Sequence, residues 1–198
     1  MFCRVINMDS YSERMCFIPG EMEKIGMQWE RFLAVNPPGI CDPNIGSAYS
    51  HIEVMRDYPD ELLVCEDDVM FIEGAKDIFD KSFAQLPSDW DMLYLGGNVK
   101  MPAKRYSENL FHVTEGVHCT HAILYSKKGI EITLKNYDVF TNEIKSHDHW
   151  LFCVGQKIME CFICFPVIAY QRPGFSHPRN GYMDYYSEMK ENEKKHLI

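Results

Sequence analysis

Glu66, Asp67 and Asp68 stand side by side in LLVCEDDVMF, with apolar residues on both sides. Two unit charges about 4 Å apart repel by roughly 1 kcal/mol in bulk water and roughly 4 kcal/mol at a protein-like dielectric, so three adjacent carboxylates ask for a cation. A solvated loop at a strand end also carries acidic residues, but such loops are rarely entered from a run like Leu62, Leu63, Val64 and Cys65. On an extended strand end Glu66 and Asp68 project to the same side. Oxygen ligands of this kind suit Mg²⁺ or Mn²⁺, which keep positions open for substrate phosphates, and a diphosphate is the natural guest.

Other residues carry weaker chemical signals. Asp148 in SHDHWLF falls in the first turn of a predicted helix that Ser146 caps. It is a candidate general base, although an acid there also complements the helix dipole, worth about 0.3–1 kcal/mol. His147 and His149, two apart, diverge on a helix and so argue against a separate metal site. Ser50 and His51 lie on a predicted helix, where a core histidine is the simpler explanation of the pattern. Arg14 could reach a nucleotide phosphate or remain a solvated helix residue. His121 opens a half-buried strand and could face an acceptor, while most strand histidines are structural. The pair Cys161 and Cys164 has no second CxxC to complete a zinc site and fits core packing better.

These residues need a scaffold, and short apolar runs alternating with helix-like segments supply one. CRVINM, RFLAV, LLVC, DMLYL, HAILYS and FICFPVIAY read as strands. GAKDIFDKSFAQL has a helical stripe of Ile78, Phe79, Phe83 and Leu86, and KSHDHWLFCVGQKI one of Leu151, Val154 and Ile158. NPPGICDPNIGS reads as a loop before a helix starting near Ser47, and Pro19-Gly20 interrupts any helix in SERMCFIPGEMEKIG. The rhythm is α/β, and ligands of open α/β sheets bind beyond the carboxyl ends of the strands. Asn7 and Asp9 follow the first run, the acidic triplet follows the third, and Gly96, Gly97 and Asn98 follow DMLYL. Glycine at that last edge lets a backbone approach a ligand, or simply makes a turn. Asp9 is equally suited to capping a helix.

A chain of 198 residues fits one domain, taken as 1–188 with a charged tail at 189–198 that lies on the surface or frays. A net charge of −9 argues against a nucleic-acid partner, which would want a basic face. The eight cysteines are scattered and several sit in apolar runs, so they are expected to be reduced. The start MFCRVINMDS has no basic segment followed by a long apolar stretch, and no uncharged apolar run reaches the length of a membrane span, so a cytoplasmic location without a signal peptide is expected.

VINMDSYSER, GSAYSHIEV, LLVCEDDVMF, DWDMLYLGG, THAILYSKKG and HDHWLF, in that order, resemble the blocks of glycosyltransferase family 25, the lipopolysaccharide and collagen-type galactosyl- and glucosyltransferases. The resemblance runs from residue 4 to about residue 177. It implies a GT-A fold: a Rossmann-like mixed sheet flanked by helices. It also implies a nucleotide-diphosphate sugar donor, expected to be a UDP-sugar, a glycan or glycoprotein acceptor, Mn²⁺ or Mg²⁺, and inversion at the anomeric carbon. By the same match Asp68 ligates the metal, and Glu66 or Asp67 contacts metal or ribose. Asn7, Asp9, Arg14, Ser50, His51 and Gly96 then face the donor, and Asp148 is the base. His177 is the candidate for a further metal ligand, although Ser176-His177 departs from the Ser-Asp of family members, and a turn histidine before Pro178 explains it as well. Two alternatives from other classes are a metal-dependent phosphoesterase or nucleotide-sugar hydrolase, and a non-catalytic sugar-nucleotide-binding module.

Overall fold

The computed structural model describes residues 1–176 and 179–198. Its strands are β1 (Phe2–Asn7), β2 (Gln28–Leu33), β3 (Leu62–Glu66), β4 (Val69–Phe71), β5 (Met92–Tyr94), β6 (Asn98–Val99), β7 (Lys104–Arg105), β8 (Leu110–Val113), β9 (Val117–His118), β10 (Ala122–Tyr125), β11 (Cys161–Cys164), β12 (Ala169–Gln171), β13 (Gly174–Ser176) and β14 (Gly181–Met183). Its helices are α1 (Ile18–Ile25), α2 (Pro43–Asp57), α3 (Ala75–Ala84), α4 (Lys127–Asn136), α5 (His147–Trp150), α6 (Gln156–Ile158) and α7 (Tyr185–His196).

An 8-stranded sheet runs in the order β2-β1-β3-β10-β5-β11-β8-β7. It is mixed: β1 is parallel to β2 and β3, whereas β10 is antiparallel to both β3 and β5. The central strands read as continuous apolar runs because both faces are covered. Leu62 and Val64 of β3 join Ile52 and Met55 of α2 in one core layer. Leu63 and Cys65 join Ile18 and Met22 of α1 and Phe79 of α3 in the other. Cys161 and Cys164 are both fully buried on β11, one in each layer, and act as small hydrophobes.

Several boundaries differ from those expected. The helix in SERMCFIPGEMEKIG is interrupted as expected, but just before the proline: a 3-10 helix ends at Cys16 and α1 starts at Ile18, with Pro19 in its first turn, where a missing N–H costs nothing, and Gly26 at φ 65° ends it. α2 starts at Pro43 rather than near Ser47, because the Asp42 side chain accepts from the Asn44 amide and Pro43 has a helix-ready φ. β2 begins three residues before RFLAV and ends at Leu33, and FICFPVIAY divides into β11, in the main sheet, and β12, paired with β4. The expected helix through KSHDHWLFCVGQKI is interrupted by a π turn over Leu151–Gly155. The wider turn shifts the helical phase, so Ile158 is 45% exposed and Gln156 takes the inside position. There Gln156 donates to the Tyr94 hydroxyl and the Val117 carbonyl, and accepts from the Val117 amide.

The charged tail is a helix, not a frayed end. α7 buries Met189 and, just beyond it, Leu197. Glu193 accepts from the Val167 amide and the Tyr170 hydroxyl, and Asn192 donates to Asn98. Among the described residues no helix is long and apolar enough to cross a membrane.

Candidate active site

Beyond the ends of β1 and β3 lies a cavity of about 1030 Å³. Its walls include Asn7, Arg14, the whole acidic triplet, Thr120 and Asp148. β3 ends at Glu66, and Asp67 and Asp68 form the turn into β4, so the side chains do not alternate as on an extended strand. They fan out to three different sets of partners. Glu66 Oε1 accepts from Thr120 Oγ1 at 2.5 Å and pairs with His51 Nε2 at 3.1 Å. Asp67 accepts from Asn7 Nδ2 at 2.6 Å and from Arg14 at 3.0 Å. Asp68 Oδ2 has a weak bond from Gln171 at 3.3 Å, while its Oδ1 is buried and has no hydrogen-bond partner among the described residues.

The electrostatics follow from these partners. Burial pushes Glu66 up, but His51 and Thr120 outweigh it and hold the carboxyl below its usual range. Burial raises Asp67 against the pull of Asn7 and Arg14. Asp68 is pushed up to about 8, first by burial and then by the charges of Glu66 and Asp67. A buried carboxylate oxygen with no donor carries a desolvation penalty that a bound cation would remove.

Asp148 approaches the same cavity from α5. Ser146 caps that helix as expected, its hydroxyl accepting from the His149 amide. Asp148 Oδ1 accepts from the Cys119 amide at 2.7 Å, and Oδ2 lies 3.3 Å from His118 Nδ1. Cys119 has φ 83°, a left-handed conformation costly for a residue with a Cβ, and it aims the amide at the carboxylate.

The remaining candidates divide. His51 is buried and serves the site through Glu66. Arg14, in the 3-10 helix Asp9–Cys16, reaches Asp67 and the Phe175 carbonyl. Asn7 is almost wholly buried, with its amide engaged by Asp67, the Tyr11 carbonyl and Arg31. Ser50 borders the cavity, but its hydroxyl is spent on Val35 and Gly46, tying α2 to the exit of β2. Asp9 does not line the cavity and caps no helix; its exposed carboxylate pairs with Arg31 at 2.7 Å. Gly96 does not line it either. A Cβ there would meet the Ala169 carbonyl oxygen at 1.7 Å, so this glycine admits β12 rather than a ligand. His121 is fully buried behind the site and does not face an acceptor. His147 is buried too, and burial beside His51 lowers its pKa well below the usual range, which keeps it neutral. His177 lies outside the described residues.

His118, Cys119, Thr120 and Gln171 were not among the sequence candidates. His118 and Cys119 immediately precede THAILYS, but nothing in residue type signals that they converge on Asp148. Among the described residues no three His, Cys, Asp or Glu side chains are grouped as a ready-made metal site. The orphaned oxygen of Asp68 nevertheless fits a hard cation that takes one or two carboxylates and completes its shell from phosphates and water.

No family model and no curated protein matches the chain. Solved structures do. A glycosyltransferase involved in the glycosylation of the major capsid of PBCV-1 is 10% identical, over 83% of this chain and 93% of its own, with a TM-score of 0.46. The inositol-1-phosphate CTP transferase of T. maritima is 13% identical, over 100% and 79%, with a TM-score of 0.44. The catalytic domain of Drosophila β1,4-galactosyltransferase 7, in complex with xylobiose, is 11% identical over 100% of this chain and 81% of that one, with a TM-score of 0.50. With the mixed sheet and its flanking helices, that last likeness identifies the architecture as a GT-A fold.

Proposed function

We propose that this protein is a metal-dependent, inverting glycosyltransferase of the family 25 type. It moves a galactose or glucose from a nucleotide-diphosphate sugar, a UDP-sugar being the expected donor, to a hydroxyl of a glycan or glycoprotein. The observation that carries this reading is the buried Oδ1 of Asp68, unpartnered among the described residues, in a cavity that Asp148 also lines.

Asp68 and the remaining oxygen of Glu66 would hold Mn²⁺ or Mg²⁺, which when bound supplies positive charge to the departing diphosphate. Asp67, satisfied by Asn7 and Arg14, fixes the turn that presents Asp68. His51 and Thr120 keep Glu66 ionised, so it remains a ligand near neutral pH. Asp148 is the carboxylate through which the acceptor hydroxyl is activated as its oxygen attacks the anomeric carbon, the single displacement that gives inversion. The cavity is at the upper end of the range for small-molecule sites, in keeping with a nucleotide sugar plus an acceptor unit.

The test is a panel of sugar nucleotides with Mn²⁺, assayed for the released nucleotide. Release of a nucleoside diphosphate, abolished in a folded Asp68→Ala variant, is the expected outcome. Release of nucleoside monophosphate would favour the hydrolase, and full activity in Asp68→Ala would refute the assignment.

A further inference from the structure

We infer that Asp148 and His118 form a dyad in which the carboxylate holds the neutral imidazole with its proton on Nδ1, leaving the Nε2 lone pair as a base at the cavity wall. This deepens the assignment of Asp148 to acceptor activation and takes its catalytic meaning from that assignment.

Asp148 Oδ1 is claimed by the Cys119 amide at 2.7 Å, so Oδ2 is the oxygen that faces His118 Nδ1 at 3.3 Å. An ionised carboxylate only accepts hydrogen bonds, so Nδ1 must carry the proton, and the tautomer of a histidine is set by such a partner. An unconstrained histidine side chain in water prefers the opposite tautomer, with the proton on Nε2.

The ring is held where this matters. It stacks on Phe152, with centroids 4.1 Å apart and planes 18° from parallel, and His149 lies beyond at 6.4 Å. The strand that carries it, β9, is pinned by Gln156 through both the amide and the carbonyl of Val117. Both members of the pair line the cavity, and with Nδ1 committed to Asp148, Nε2 is the nitrogen left for a ligand. In transfer, the acceptor O–H bond breaks and its proton passes to Nε2. The oxygen's electron pair forms the bond to the anomeric carbon as the bond to the diphosphate breaks. Asp148 then faces an imidazolium, which its charge stabilises.

The test is ¹⁵N NMR of the histidine rings in the intact protein, at a pH where His118 is neutral and with no donor present. His118 is expected to show the Nδ1–H pattern. In Asp148→Asn the Cys119 amide takes the carbonyl oxygen, so the side-chain NH₂ faces Nδ1 and forces the proton to Nε2. The signals of the buried His121 and His147 report that the variant is folded. A wild-type His118 that is mainly Nε2–H, or an even mixture, overturns the dyad, as does a tautomer unchanged in Asp148→Asn. Transfer assays separate the two claims. An inactive Asp148→Asn with a wild-type Nε2–H ring removes the dyad and leaves Asp148, whereas a fully active Asp148→Asn overturns Asp148's role whatever the tautomer.

Discussion

Asp68→Asn offers the sharpest perturbation of the acidic turn. The wild-type carboxyl is displaced from its ordinary 3.8 to about 8 by burial and by the charges of Glu66 and Asp67. Between those values the unfolded chain has lost this proton while the folded chain keeps it. The folded state therefore binds more protons, and stability falls as pH rises from about 4 to about 8. Above that range the full penalty applies. At about 1.4 kcal/mol per pK unit the ceiling is near 6 kcal/mol, and solvent screening of a carboxylate at a cavity wall reduces it to about 2 kcal/mol. Asparagine keeps an acceptor for Gln171 but carries no charge, so the variant escapes the penalty. For a chain of this size that is about 4–8 °C of melting temperature. Thermal unfolding at pH 5 and pH 9, without divalent ions, should show the variant gaining on the wild type at the higher pH by about two-thirds of that amount, since the rest of the penalty is already present at pH 5. Adding Mn²⁺ at pH 9 should close the gap by stabilising the wild type alone. A pH-independent difference, or a variant less stable than wild type at pH 9, would refute the electrostatic reasoning.

Three further substitutions probe the frame around the site. Arg14→Met removes the 3.0 Å contact to Asp67 and the bond to the Phe175 carbonyl, and should lower stability in urea by about 1–3 kcal/mol; an unchanged midpoint would contradict this. Gly96→Ala places a methyl 1.7 Å from the Ala169 carbonyl oxygen and should cost about 2 kcal/mol or more, so a wild-type melting temperature would show that β12 yields easily. Gln156→Leu strands the Val117 amide and carbonyl and the Tyr94 hydroxyl, with an expected loss of about 2–4 kcal/mol and a displaced Cys119 amide resonance. A Cys119 resonance that stays in place would mean that β9 does not depend on Gln156.

The elements legible in the sequence are those whose local pattern and tertiary fate agree. β3 and β10 are unbroken apolar runs because both faces are covered, and α3 shows its stripe because one face is. The position of the acidic turn followed from that first case, since a buried strand ending in charge has to open onto something. The features that leave no trace in the sequence depend on contacts distant along the chain. Gly96 resembles a ligand-edge glycine until β12 is seen against it, and Asp9 resembles a cap until Arg31 claims it. The π turn after Trp150 leaves no mark in residue type, yet it decides that Gln156 and not Ile158 points inward. The left-handed backbone at Cys119 is equally silent, because side chains with a Cβ seldom adopt it and nothing in the neighbouring residues announces it.

The most direct measurement is calorimetric titration of the protein with a panel of nucleoside diphosphates, with and without Mn²⁺, on the wild type and on Asp68→Ala. The account predicts that a nucleoside diphosphate binds tightly with the ion and weakly without it, and that the ion-dependent part vanishes in the variant. Binding that is equal with and without Mn²⁺ and untouched by Asp68→Ala, or no binding of any nucleoside diphosphate, would contradict it.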